Sequence, residues 1–71
     1  MTKNILKNGF MAIKILATFK NVALVERVNM HDYVVVNNLT TSNDLTCSWA
    51  FAYGYFEEYK QALTCFKEKA V

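Results

Sequence analysis

A chain of 71 residues has room for one domain, and a domain of that size buries only about 60% of the surface its unfolded form exposes. At 54% hydrophobic, 14% aromatic and 20% charged it is too apolar for a disordered segment, and it carries more large side chains than a small interior can hide, so we expect an exposed interface and a homodimer. The net charge of +2 is spread over eight scattered basic and six acidic residues, which argues against both a phosphate-binding stripe and an acidic DNA mimic.

From Thr2 to Lys20 the apolar residues Ile5, Leu6, Phe10, Met11, Ile13, Leu16, Ala17 and Phe19 recur mostly at spacings of three and four. That spacing predicts an amphipathic helix from about Asn4 or Phe10 onward, weakened at Gly9. The competing reading is a strand over Ala12 to Phe19, favoured by the β-branched Ile13, Ile15 and Thr18. Lys3 and Lys7 ahead of the run from Phe10 to Phe19 imitate a signal peptide, but Lys14 interrupts it and no small-residue cleavage site follows cleanly. We expect a cytoplasmic protein with no membrane span.

The texture changes at Val22. VALVERV and YVVVNN are rich in strand formers and flank the turn residues NMHD, which predicts a hairpin. His31 beside Asp32 invites a catalytic dyad. Neighbours in a turn usually diverge, however, and a nucleophile would have to converge on them as well, so we expect no enzyme activity.

TTSND, residues 40 to 44, reads as a loop, and a third strand is predicted from Leu45 to Tyr53 or Tyr55. Leu45, Cys47, Trp49, Phe51, Tyr53 and Tyr55 would line one bulky face of it, against Thr46, Ser48, Ala50, Ala52 and Gly54 on the other. Trp49 and Phe51 are expected in the core, while Tyr53 and Tyr55 reach a rim where a phenol finds water or a partner. The centre of the RNA-recognition-motif pattern, aromatic, small, aromatic, is matched by Phe51, Ala52 and Tyr53, but its basic residue, glycine and valine are replaced by Trp49, Ala50 and Gly54. Cys47 and Cys65 read as buried reduced thiols, with an intramolecular disulfide as the alternative. Neither a metal nor another cofactor is expected: four convergent zinc ligands are lacking, and two glycines do not make a phosphate loop.

After Gly54 the period turns helical, with Phe56, Tyr59, Leu63, Phe66 and Ala70 on one stripe. Glu57 and Glu58 would occupy the first turn and Lys67 and Lys69 the last, the polarity that the helix dipole favours. The expected fold is therefore a single α+β domain over residues 1–71: a three-stranded antiparallel meander, an N-terminal helix, and a C-terminal helix packed on the aromatic face.

Tyr33, Val34 and Val35 in one strand, Trp49 in the next, a Gly54-Tyr55-Phe56 junction, and Ala62 and Phe66 four apart in a helix cover about half the chain. In these it resembles small phage and mobile-element proteins of Gram-positive bacteria, among them anti-CRISPR inhibitors. The resemblance implies a non-catalytic accessory protein that binds a protein partner, most concretely an RNA-guided defence nuclease. Tyr53, Tyr55, Glu57 and Glu58 are the candidate partner-binding residues. The alternative is a small nucleic-acid-binding regulator that uses Phe51 and Tyr53 as a stacking platform.

Overall fold

The computed structural model describes residues 5–9, 11–43 and 45–70. They form strands β1 (Ile5–Asn8), β2 (Met11–Phe19), β3 (Val22–Arg27), β4 (Asp32–Asn37), β5 (Thr40–Ser42), β6 (Thr46–Ser48) and β7 (Phe51–Phe56), followed by one helix, α1 (Tyr59–Lys69). All seven strands belong to one sheet in the order β5-β6-β1-β2-β3-β4-β7, antiparallel except where β1 runs parallel to β6. This corrects the expected three-stranded meander between two helices.

The largest correction is at the N-terminus, where β1 and β2 form a hairpin in place of a helix. The competing strand over Ala12 to Phe19 corresponds to β2, while helix starts at Asn4 or Phe10 lie outside the described residues. Gly9 makes the turn between Asn8 and Met11 at φ 62, a conformation open to glycine at no steric cost. Along β2, Ile13 is fully buried and Lys14 exposed, the alternation of a strand. A bulge between Ile15 and Ala17 then breaks the alternation, so that Ile15 packs on one face of the sheet while Leu16 and Ala17 both pack on the other. With no proline in the chain, four further corners turn at left-handed residues: His31, Asn38 and Asn43, at φ 59, 58 and 56, types that tolerate the region, and Lys20, at φ 56, which adopts it at a steric cost.

The sheet is strongly curled. β4 and β5 stand five neighbours apart in it, about 24 Å if it were flat, yet only Asn38 and Leu39 join them, a reach of about 11 Å. Curling gives the sheet an inner core of Leu6, Ile13, Ala23, Val25, Val34, Val36 and Cys47, packed by Met11, Ile15, Leu39, Trp49 and Ala52. The outer face of β3, β4 and β7 is covered by α1, where Val22, Leu24, Val35 and Ala62 are buried. Val34, Val35 and Val36 are wholly buried because β4 has protein on both faces, which is why that segment reads as an unbroken apolar run.

Two more expectations are corrected here. The strand from Leu45 to Tyr55 is interrupted at Trp49 and Ala50, where the Ala50 N–H donates to the Asn37 carbonyl (2.9 Å), and its first residues instead pair with β5, cut from the expected TTSND loop; Asp44 lies outside the described residues. Pairing with β4 carries β7 on to Phe56, opposite Tyr33, so α1 starts only at Tyr59. Glu57 and Glu58 precede the helix, Glu58 at its N-cap, and the first turn holds no acidic residue, while Lys67 and Lys69 do fall in the last. No described helix is long and apolar enough to cross a membrane.

Candidate protein-binding surface

Alternation along β3 and β4 directs Arg27 and Asp32, opposite each other in register, to the inner side of the sheet at the end where its apolar filling stops. There they form a two-pronged ion pair: Arg27 Nε donates to Asp32 Oδ1 at 2.7 Å and Nη2 to Oδ2, with side-chain exposures of 17% and 16%. Nη1 reaches the Met11 sulfur at 3.6 Å, and the guanidinium carbon lies 4.8 Å from the Tyr55 ring centroid. The hydrogen bond from Arg27, ahead of the opposing effect of burial, holds the Asp32 carboxyl below its ordinary value. The same bond raises Arg27 further above the range in which it could lose its charge.

The turn between β3 and β4 is tied down by main-chain and side-chain bonds. Met30 and His31 N–H both donate to the Arg27 carbonyl (3.1 and 2.8 Å), Val28 N–H to that of Ala12 (2.8 Å), and Ala12 N–H to Asn29 Oδ1 (3.1 Å). Met30 stands 58% exposed on this turn, and Tyr55, across the ion pair, 55% exposed. Glu57 and Glu58 are exposed just beyond Tyr55. The result is an exposed aromatic ring held over a guanidinium that Asp32 and the Met11 sulfur engage, with Met30 exposed on the adjoining turn and Glu57 and Glu58 following Tyr55 along the chain.

The four predicted contact residues are not one surface. Tyr55 is on the inner side of the sheet, Glu57 and Glu58 lie exposed in the link to α1, and Tyr53 is on the helix side of β7, because Val35 pairs with Gly54 and Val36 with Ala52, leaving Tyr53 as an unpaired bulge residue packed in the helix cluster. Its hydroxyl accepts from Asn37 Nδ2 (3.0 Å), and Lys69 Nζ lies 5.5 Å from its ring centroid. Phe51, expected in the core, is 52% exposed and meets Tyr53 edge-on at 5.1 Å and 77°. Trp49 does pack against the inner core. Arg27, Met30 and Asp32 were not legible as site residues, although the expected hairpin brings Arg27 and Asp32 to the two ends of one turn.

Elsewhere the chemistry is sparse. His31 is exposed while both oxygens of Asp32 are engaged by Arg27, so the two do not form a dyad. Cys47 and Cys65 are free, in clusters on opposite faces of the sheet, and burial pushes both thiols up; the alternative of a disulfide between them is not realised. Among the described residues no group of His, Cys, Asp or Glu is placed to hold a metal ion. At the far end of β3 from Arg27 an open cleft of about 490 Å³ runs between Lys20, Asn21, Asn38 and Thr40, with Lys20 its one charged residue. Comparison with protein-family models, with characterised proteins and with solved structures yields no match for this chain.

Proposed function

We propose that this chain is a non-catalytic protein-binding accessory protein, of phage or mobile-element origin and acting in the cytoplasm of a bacterial host, that contacts its target through Tyr55, Met30 and Arg27. The observation that carries the reading is Tyr55, more than half exposed yet held against a guanidinium that Asp32 fixes in turn. Tyr, Arg and Met are the residue types enriched at protein interfaces, and a side chain already oriented loses less freedom on binding. Glu57 and Glu58, exposed and two and three residues further along the chain, suit a target with an apolar pocket and a basic rim.

The resemblance to anti-CRISPR inhibitors makes a bacterial RNA-guided nuclease the first target to test. Purified protein is titrated against a panel of such nucleases, with binding and DNA cleavage as readouts. The expected result is inhibition by the parent, weakened by about 2 kcal/mol, roughly 30-fold, in Tyr55→Ala. Absence of binding across the panel removes the nuclease as target, and binding undiminished in Tyr55→Ala removes this surface.

One observation favours the alternative, a small nucleic-acid-binding regulator: exposed Phe51 sits beside Tyr53 and Lys69. Against it, the two rings are edge-on rather than coplanar, and the chain's single arginine is engaged by Asp32. Binding of single-stranded DNA or RNA that falls steeply with salt and is lost in Phe51→Ala would select this reading.

A further inference from the structure

β7 and β5 are the terminal strands of the sheet. Proteins that stay monomeric blunt such edges with charge, proline or very short strands. β5 conforms, being three exposed residues, Thr-Thr-Ser. β7 does not, apart from the bulge at Tyr53: its six residues, FAYGYF, contain no charge and no proline, and among the described residues it pairs with β4 alone.

We propose that the free edge of β7 pairs antiparallel with β7 of a second copy, in full overlap about a two-fold axis between Tyr53 and Gly54. A two-fold antiparallel pair requires opposed residues to lie on the same face of the sheet. In a regular six-residue strand, full overlap breaks that rule, since the first and last residues point to opposite faces. The bulge at Tyr53 repairs it. Phe51, opposite Asn37, Gly54, opposite Val35, and Phe56, opposite Tyr33, share the helix side, whereas Ala52 and Tyr55, opposite Val36 and Val34, share the inner side. Full overlap then places Phe51 opposite the partner's Phe56, Ala52 opposite the partner's Tyr55 and Tyr53 opposite the partner's Gly54, each pair on one face. In two of the three a large side chain meets a small one.

Charge favours the same occupant. Glu57 and Glu58 follow β7 at one end, while at the other α1 finishes with Lys67 and Lys69, Lys69 lying over Tyr53 and Glu68 between the two lysines. Antiparallel pairing carries the acidic end of each copy towards the more basic end of the other. Ala52 is too small to cover the Tyr55 ring, so the dimer displays the proposed target surface twice, but the dimer does not depend on that surface being used.

The test combines mass with register. Sedimentation of the parent over a concentration series is expected to give twice the 8.2 kDa chain mass, and Phe51→Glu, which sets a carboxylate from an already exposed position opposite the partner's Phe56 and next to its Glu57, is expected to halve it with the circular dichroism spectrum unchanged. In the double variant Ala50→Cys/Glu57→Cys, both exposed and at opposite ends of one β7, mild oxidation is expected to give a covalent dimer, because the pairing sets position 50 against the partner's position 57. A parent that stays at the chain mass at every concentration overturns the proposal. So does a dimer that survives Phe51→Glu and gives no 50–57 cross-link. Target binding is scored separately through Tyr55→Ala, so either reading can fail alone.

Discussion

Replacing Asp32 by Asn keeps the side chain's shape and removes its charge, leaving the Arg27 guanidinium, 17% exposed, against a neutral amide that can accept at one oxygen only. Hydrogen bonds to charged groups contribute about 1.5 to 3 kcal/mol each, and stranding a partly buried charge adds to the loss. The expected cost is therefore about 2 kcal/mol at neutral pH, which for a chain of 71 residues lowers the melting temperature by roughly 10 °C. The pH dependence is the sharper check. Asp32 is lowered in the folded state from an ordinary value of 3.8, so its contribution is complete above that value and is lost as pH falls through the lower folded value. Urea titrations followed by circular dichroism, run on parent and Asp32→Asn from neutral pH into acid, should show a stability gap that is constant down to the ordinary carboxylate range and closes below it. A gap under about 0.5 kcal/mol at neutral pH, or one that persists undiminished in acid, would refute the account of this ion pair.

Two other substitutions probe the corners and the helix face. A Cβ at position 54 would meet Phe56 Cζ at 2.9 Å and Cε2 at 3.1 Å, and since that ring packs in the cluster under α1, Gly54→Ala should cost about 1 to 2 kcal/mol in urea denaturation, with a weakened near-ultraviolet aromatic signal. Lys20→Gly, at φ 56 in the turn between β2 and β3, should raise the urea midpoint by an amount worth about 0.5 to 1 kcal/mol without changing the slope, because it relieves a left-handed lysine.

What could be read from sequence was whatever the local period decides. Val34 to Val36 declared a strand, NMHD between two β-branched runs declared a hairpin turn, and the stripe through Tyr59, Leu63 and Phe66 declared the C-terminal helix. The failures sit where pairing irregularities break the period. The bulge at Leu16 puts Leu16 and Ala17 on one face just after Ile13 and Ile15 on the other, and the resulting spacings of three and four imitate a helix. The interruption at Trp49–Ala50 and the bulge at Tyr53 likewise break the odd–even alternation, separating Phe51 from Trp49 and Tyr53 from Tyr55. Bulges are set by the partner strand and by sheet curvature, neither of which leaves a mark in the bulged segment itself. The same holds for the Arg27–Tyr55 contact, whose members are brought together only by the register of three strands.

The tight curl of the sheet also decides where the aromatic side chains go, and through that what surface the domain offers. The largest fully buried side chains are Ile13, Leu24, Val25, Val34, Val35 and Val36; no aromatic residue is among them. The interior of so tightly curled a sheet is filled by branched aliphatic groups at crystal-like density, and a ring inserted among them would overpack it. Apart from Trp49, which packs half-buried against the inner core, the described rings stand at its rim and on the helix side; Tyr33 and Tyr59 pack edge-on at 5.6 Å, and Phe51 and Tyr55 stand half exposed on opposite faces of β7. Among the described residues no ring is fully buried: Tyr33, Trp49, Tyr53, Phe56 and Phe66 are half-buried against the two clusters, and Phe19, Phe51, Tyr55 and Tyr59 are exposed. Because β7 is the terminal strand, this placement concentrates apolar surface at the one long edge that carries no charge, and exposed rings beside unpaired main-chain groups are the combination that favours pairing with another chain.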